Sequence, residues 1–440
     1  MPSARRVALV LGLLVALTVV GSSAVAVALP DVAGTLSLDT AGTAWVLACF
    51  SLSFSITTAF FGRVADLYGL RVPLRVGVVL FAGGSLLAGG AWSFPAIVVG
   101  RLVQGAGAGA VPVLALGIIA ARFRGPARSQ ALGALTAVVT VVSGAGPLIG
   151  GGITEMLSWR AVLALPALAL LVGEPAARLA PAGPPEGGSG RSPGGLDVRG
   201  ALLVAMTVAA TTLLLQSPAT GLGPAAAGVF GAGAALGAAG IVRHLGRRPL
   251  GFLPAVVVRD GAFRRCAFSG LALLAAYVGM LLALPLLLAA NEGWRPFQIG
   301  LALLPAAGLG AVVASTVGAW VDRLGPYRMA TGVTAGSALG LLVAAAAPES
   351  PVLLVVGMCL VVTGFAGGQV ALLDAVSSLV DDAHRGVALG VFNLLFFTGG
   401  AVGAAAVGGL AGVVGLPGAL ALLAFLPASG AVVVRGLVRA

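Results

Sequence analysis

The chain alternates between long apolar runs and short polar interruptions from one end to the other. The apolar segments cover 7–29, 41–61, 72–91, 95–121, 127–153, 159–172, 200–216, 221–242, 263–290, 296–321, 327–347, 351–378, 386–414 and 417–434. A bilayer-spanning helix needs about 20 mostly apolar residues, and nearly every segment meets that length. The segment at 159–172 is short and runs on toward Arg178. The runs are continuous, not alternating, which excludes a transmembrane barrel. Helices are what remains, because each backbone polar group in lipid must be paired within its own segment. The pattern therefore predicts an all-α integral membrane protein with 14 transmembrane helices.

Two polar stretches divide the series. The first, from Glu174 to Arg199, is rich in Pro, Gly and Ser and reads as a flexible linker. The second, from Arg243 to Arg265, mixes Arg with Leu, Phe and Val, and reads as an amphipathic segment at the membrane surface. A repeat ties the flanking parts together. Gly62, Asp66 and Gly69 follow the second segment, and Gly318, Asp322 and Gly325 follow the tenth at the same internal spacing. The expected architecture is two six-helix bundles, 1–178 and 263–440. Between them lie a linker at 179–199, two inserted helices at 200–242 and an amphipathic loop at 243–262. Repeated helical halves are common in secondary transporters.

Composition sharpens this reading. Of 440 residues, 59% are apolar and only 9% are charged, against about 25% charged in a soluble domain. A soluble enzyme, a disordered chain and a nucleic-acid binder are excluded. The net charge of +11 comes from Arg alone, and its placement reports topology. With both termini in the cytoplasm, every Arg except Arg101, Arg160 and Arg295 falls on the cytoplasmic side. Localisation is thus expected in the cell membrane. Arg5 and Arg6 before the first run resemble a signal peptide, but the many later spans favour an uncleaved first helix. Cys49, Cys266 and Cys359 are far apart in apolar runs and show no metal or disulfide spacing. No cofactor or metal is expected. His244 and His384 fall in loops and read as solvated.

Four motifs then resemble the major facilitator superfamily, and within it the fourteen-helix drug:proton antiporters. The first holds Gly62, Asp66, Gly69 and Arg71; the resemblance makes it a conformational latch, repeated at Asp322 and Arg323. Leu67 and Leu70 stand where the family usually has basic residues. The second is Arg101 with Gln104 and Gly105. A charge inside a span is costly and is usually functional or paired; the resemblance assigns Arg101 to proton coupling, and the competing reading is an Arg satisfied by backbone carbonyls or by Gln104 that holds helix geometry. The third is Gly146, Pro147, Gly150 and Gly151, similar to the antiporter motif that marks exporters. The fourth is the first-segment ending at Leu29 and Pro30 with Trp45 beyond. There the family pattern calls for Asp at position 21 and Asn at position 26, and this chain has Gly21 and Ala26.

The acids limit what can carry a proton. Asp374 alone is expected to be embedded, which would raise its affinity for a proton; an acid at the cytoplasmic edge is the competing reading. Glu155, after the antiporter motif, is the second candidate. Gln104, Phe50, Phe54, Gln369, Asn393 and Phe396 are candidate cavity residues, with Phe60, Phe392 and Phe397 as further aromatics. Few acids and several aromatics suit small hydrophobic cargo. The expected function is proton-coupled export of such molecules by alternating access. The expected partners are that cargo, protons and the lipid bilayer; the chain is expected to act as a monomer and not as an enzyme. A proton-independent facilitator or importer, and a non-transporting receptor, are the alternatives.

Overall fold

A computed structural model describes residues 4–181, 197–217, 223–249, 251 and 253–438. The side chains of Asp66, Ser129, Val198 and residues 382–386 are outside that description, as is most of the expected linker. Every regular element among the described residues is helical. Twelve apolar helices precede the last: α1 Ala4–Leu36, α2 Thr40–Ala65, α3 Arg71–Gly89, α4 Phe94–Arg122, α5 Gly125–Met156, α6 Trp159–Leu179, α7 Arg199–Gln216, α8 Pro224–Arg247, α9 Gly261–Glu292, α10 Pro296–Leu324, α11 Pro326–Ala346 and α12 Pro351–Ser378. The thirteenth, Val387–Val438, has 52 residues. At about 1.5 Å per residue it would be far longer than a hydrocarbon core of about 30 Å. Its backbone breaks at Gly415, φ 72°, two residues before Pro417. The break divides it into α13 (387–414) and α14 (416–438), and two spans result where one continuous helix is traced.

Local signals set the helix ends. Proline occupies the first turn of α4, α10, α11 and α12, where its missing N–H costs nothing. Asp39 caps α2 by accepting from the Gly42 amide at 2.7 Å, and Asp260 caps α9 through the Phe263 amide at 2.6 Å. Gly69 ends α2 at φ 81° and Gly325 ends α10 at φ 82°, a region favourable to glycine. The two positions are 256 residues apart, the offset of the sequence repeat.

The halves repeat their packing. Helix α1 packs on α5, α3 on α4, α2 on α4 and α3 on α6; correspondingly, α9 packs on α13, α11 on α12, α10 on α12 and α11 on the α13–α14 pair. Small residues make the seams. Gly146 and Gly150 of α5 face Ser23 and Ala24 of α1, and Gly399 and Gly403 of α13 face Leu271 and Ala275 of α9. Close backbone approach through such residues is what holds helices together in lipid, where burial of apolar surface adds little. The inserted α7 lies against both α2 and α13, and α8 packs on α7.

The polar stretches depart from expectation. Helix α8 continues through Arg243, His244 and Arg247, whose charges suit a helix C-terminus. Part of the segment expected at the membrane surface is a short helix, Ala255–Val258, with Ala255 and Val257 buried in the protein. His244 is not solvated: its Nε2 lies 2.7 Å from Asp197, which also caps α7 by accepting from the Gly200 amide at 3.0 Å.

Candidate functional site

The two halves meet at the end opposite the arginine-rich loops and along the middle of the helices. At that end Gly151 of α5 lies against the Pro296 carbonyl of α10, and Gly300 of α10 lies against the Pro147 carbonyl. The antiporter-like motif therefore serves two neighbours. Gly146 and Gly150 admit α1 of the same half; Pro147 and Gly151 present backbone to the other half. Glu155, one turn beyond, faces Arg295 across the same seam at 3.6 Å, with both side chains partly exposed. On the other flank, Gly408 of α13 packs on Ala44 of α2.

Deeper along the seam, aromatic rings take over. Phe50 and Phe54 of α2 have centroids 5.8 Å apart, and Phe54 meets Phe397 of α13 edge-on at 4.7 Å. Phe397 meets Phe396 at 5.4 Å, Phe396 meets Phe365 of α12 at 6.0 Å, and Phe365 stacks on Tyr277 of α9 at 4.6 Å. One chain of rings thus crosses from the first half to the second. Gln369, one turn after Phe365, and Asn393, one turn before Phe397, are both half-buried.

Arg101 closes the first-half end of this chain. It is completely buried, with its guanidinium 4.5 Å from the Phe50 ring centroid. Its Nε donates to the Val46 carbonyl at 2.7 Å. Nη1 donates to the Gly21 carbonyl at 3.0 Å and to Gln104 Oε1 at 2.6 Å. Gln104 in turn donates to Ser85 Oγ at 2.9 Å. Arg101 therefore joins α1, α2 and α4 through neutral oxygens, and the second motif is a built polar centre.

Other expected residues lie elsewhere. Asp374 is exposed, one turn before the end of α12, so the enclosed carboxylate expected there is absent. Hydropathy located it in an apolar run but did not tell which face it takes. Asp322 and Arg323 are exposed in the last turn of α10. Arg71 contacts its own half: its Nε donates to the Ala177 carbonyl at 3.2 Å, and Nη2 reaches the carbonyls of Arg178 and Ala180, both at 3.4 Å. Arg122 donates to the Leu179 carbonyl beside it. The cations satisfy the free carbonyls at the end of α6. Glu174 adds a two-pronged pair with Arg75 at 2.9 and 2.7 Å. Gly62 faces only Val113, at van der Waals distance. Tyr277 and Phe365 were not anticipated as site residues; nothing in their local sequence marks them, and only the packing of α9 on α12 and α13 aligns them.

Similarity to known proteins agrees with this architecture. The Major Facilitator Superfamily model matches residues 11–404 and 266–440. The chain is 32% identical over 403 residues to a cephamycin export protein, CmcT, of Amycolatopsis lactamdurans, covering 88% of this chain and 81% of that one. It is 28% identical over 387 residues to a multidrug resistance protein, Stp, of Mycobacterium tuberculosis (strain CDC 1551 / Oshkosh), covering 87% and 71% respectively. Among solved structures, a POT family transporter in complex with 5-aminolevulinic acid superposes with a TM-score of 0.71 at 11% identity, over 98% of this chain and 95% of that one. A bacterial homologue of the human lysosomal transporter Spinster, in an inward-facing and occupied conformation, gives 0.68 at 16% identity, over 100% and 97%. With the repeated six-helix halves and the apolar spans, these matches establish that the chain is a multi-pass membrane protein belonging to the Major Facilitator Superfamily.

Proposed function

We propose that the protein exports small drug- or antibiotic-like molecules across the cell membrane by alternating access, with counter-movement of protons. The observation that carries this reading is the seam between halves. Backbone packs on backbone through Gly151 and Pro147 at one end, and a path of aromatic rings lies behind it. Such a seam can part as a unit while each bundle keeps its own small-residue packing. With both termini read as cytoplasmic from the positive-inside distribution of Arg, the end where Gly151 and Pro147 meet the other half faces outside. The bundles 1–178 and 263–440 are the moving bodies. The names of the relatives from Amycolatopsis and Mycobacterium support export of antibiotic-class cargo, and the motif at Gly146–Gly151 supports the fourteen-helix antiporter branch.

Asp374, near the cytoplasmic end of α12, remains the first candidate for proton exchange, Glu155 the second, and Arg101 the charge that would sense either. Everted membrane vesicles with an acidified lumen and a pH-sensitive dye test this. Adding a compound from a panel of anionic, neutral and cationic molecules is expected to release protons in wild type and not in Asp374→Asn. Release retained in the variant moves coupling to Glu155. Accumulation of a compound without any proton release replaces antiport with facilitated transport. That second reading is favoured by one observation: the hydrogen-bond partners of Arg101 are all neutral.

A further inference from the structure

Arg101 carries a full charge in the middle of a membrane-spanning helix, completely buried. Its three hydrogen bonds end on uncharged oxygens of Val46, Gly21 and Gln104. Nη2 is buried and has no partner. None of the ion pairs among the described residues includes it. A buried charge is costly unless an opposite charge meets it. The guanidinium is therefore a held, directed cation with one nitrogen, Nη2, and its two N–H donors unused.

Two features beside it point to what is missing. At Gly21, whose carbonyl Arg101 holds, an added Cβ would meet side-chain atoms alone: the Pro166 ring at 3.2 Å, Gln104 Nε2 at 3.8 Å and the Phe81 ring at 3.9 Å. The α1 position whose carbonyl Arg101 holds thus bears no side chain. On the opposite side, the Phe50 ring leads from the guanidinium to Phe54 and Phe397. The guanidinium thus sits at one end of a row of aromatic rings.

We infer that Arg101 Nη2 anchors a carboxylate carried by the cargo, which makes the cargo an amphiphilic organic acid. Its apolar body lies along Phe50, Phe54 and Phe397. Guanidinium suits the task because its planar fork matches a carboxylate and it keeps its charge when desolvated. A neutral cargo leaves the charge unmatched, and a cationic one is repelled. Admitting the acid requires the Phe50 ring, which lies over the guanidinium, to move aside. This inference rests on the transport reading above and narrows its substrate class.

The test uses the full-length protein in detergent, with calorimetric binding near neutral pH. The probes are naphthylacetate, its methyl ester and naphthylmethylammonium. The acid is expected to bind at least about tenfold more tightly than the ester, as a charge-assisted hydrogen bond requires, and the ammonium more weakly still. Gln104→Glu places a carboxylate where the amide oxygen already accepts from Arg101 at 2.6 Å. In that variant the acid-over-ester preference should fall to about twofold or less. Gly21→Asp brings a carboxylate beside the same polar centre, its Cβ 3.8 Å from Gln104 Nε2, and should act alike, which gives a second variant should one fail to fold. Equal binding of acid and ester, no binding of either, or a preference that survives both variants overturns the inference. Chloride that displaces the acid as effectively as a second organic acid does would assign Nη2 to a resident inorganic anion and also overturn it. Failure of the transport reading would look different: the acid preference would stand in detergent while no probe moved in vesicles.

Discussion

Arg101 shows how much one residue organises here. Three neutral oxygens from α1, α2 and α4 converge on it, so the side chain works as a strut between three helices as well as a charge. Arg101→Lys keeps the charge but gives a single compact ammonium, which cannot span the same set of acceptors. Loss of even one such bond to a charged group costs about 1–3 kcal/mol. The variant should show a clearly lower thermal midpoint in detergent; an unchanged midpoint would mean the strut contributes nothing. Motif resemblance singled out Arg101 and Gln104, but not their acceptors. Val46 and Gly21 contribute backbone carbonyls, which carry no side-chain signature, and they lie 55 and 80 residues away along the chain. The same limit applies to Asp374. Its sequence surroundings are apolar, yet its carboxylate is exposed, because a helix in an apolar run still has an outward face.

At the scale of elements, the glycines of α5 divide their work by direction. Gly150 looks into α1, where an added Cβ would stand 2.5 Å from the Ala24 carbonyl; Gly151 looks across the seam to Pro296. Gly152, the next residue, would bring its Cβ no closer than 3.9 Å to the Phe297 ring. Gly151→Val should therefore wedge the halves apart at this seam. Overpacking of this kind costs about 1–3 kcal/mol, enough to shift the balance of states roughly tenfold. Transport in vesicles should fall accordingly, with Gly152→Ala near wild type. Loss in both, or in neither, would remove Gly151 from the closing contact. The element count was largely legible in the sequence. The break at Gly415 falls between the two last apolar runs, and Gly69 and Gly325 take the same backbone conformation at the repeat offset. What hydropathy could not read was the polar border. Helix α8 runs on through Arg247, and Val257 is buried, because a charged or mixed stretch can still fold against the protein.

For the whole molecule, the proposed transport has two six-helix bodies rock about the ring-lined seam. The contacts between halves run from the end opposite the arginine-rich loops, at Gly151 and Gly408, to the middle, at Phe54 and Phe397. Two pairs of spin labels read both ends at once. Met156 and Val352 are exposed at the end opposite the arginine-rich loops, one in each half; Tyr68 and Leu324 are exposed near the arginine-rich end, again one in each half. Pulsed electron-spin distance measurements in lipid nanodiscs, with and without a transported compound and at acidic and neutral pH, give the decisive comparison. Alternating access predicts two opposed changes: the Met156–Val352 pair moves apart as the Tyr68–Leu324 pair closes, under the same addition. Distances that stay fixed at both ends, or that lengthen at both ends together, would contradict alternating access by these two bundles.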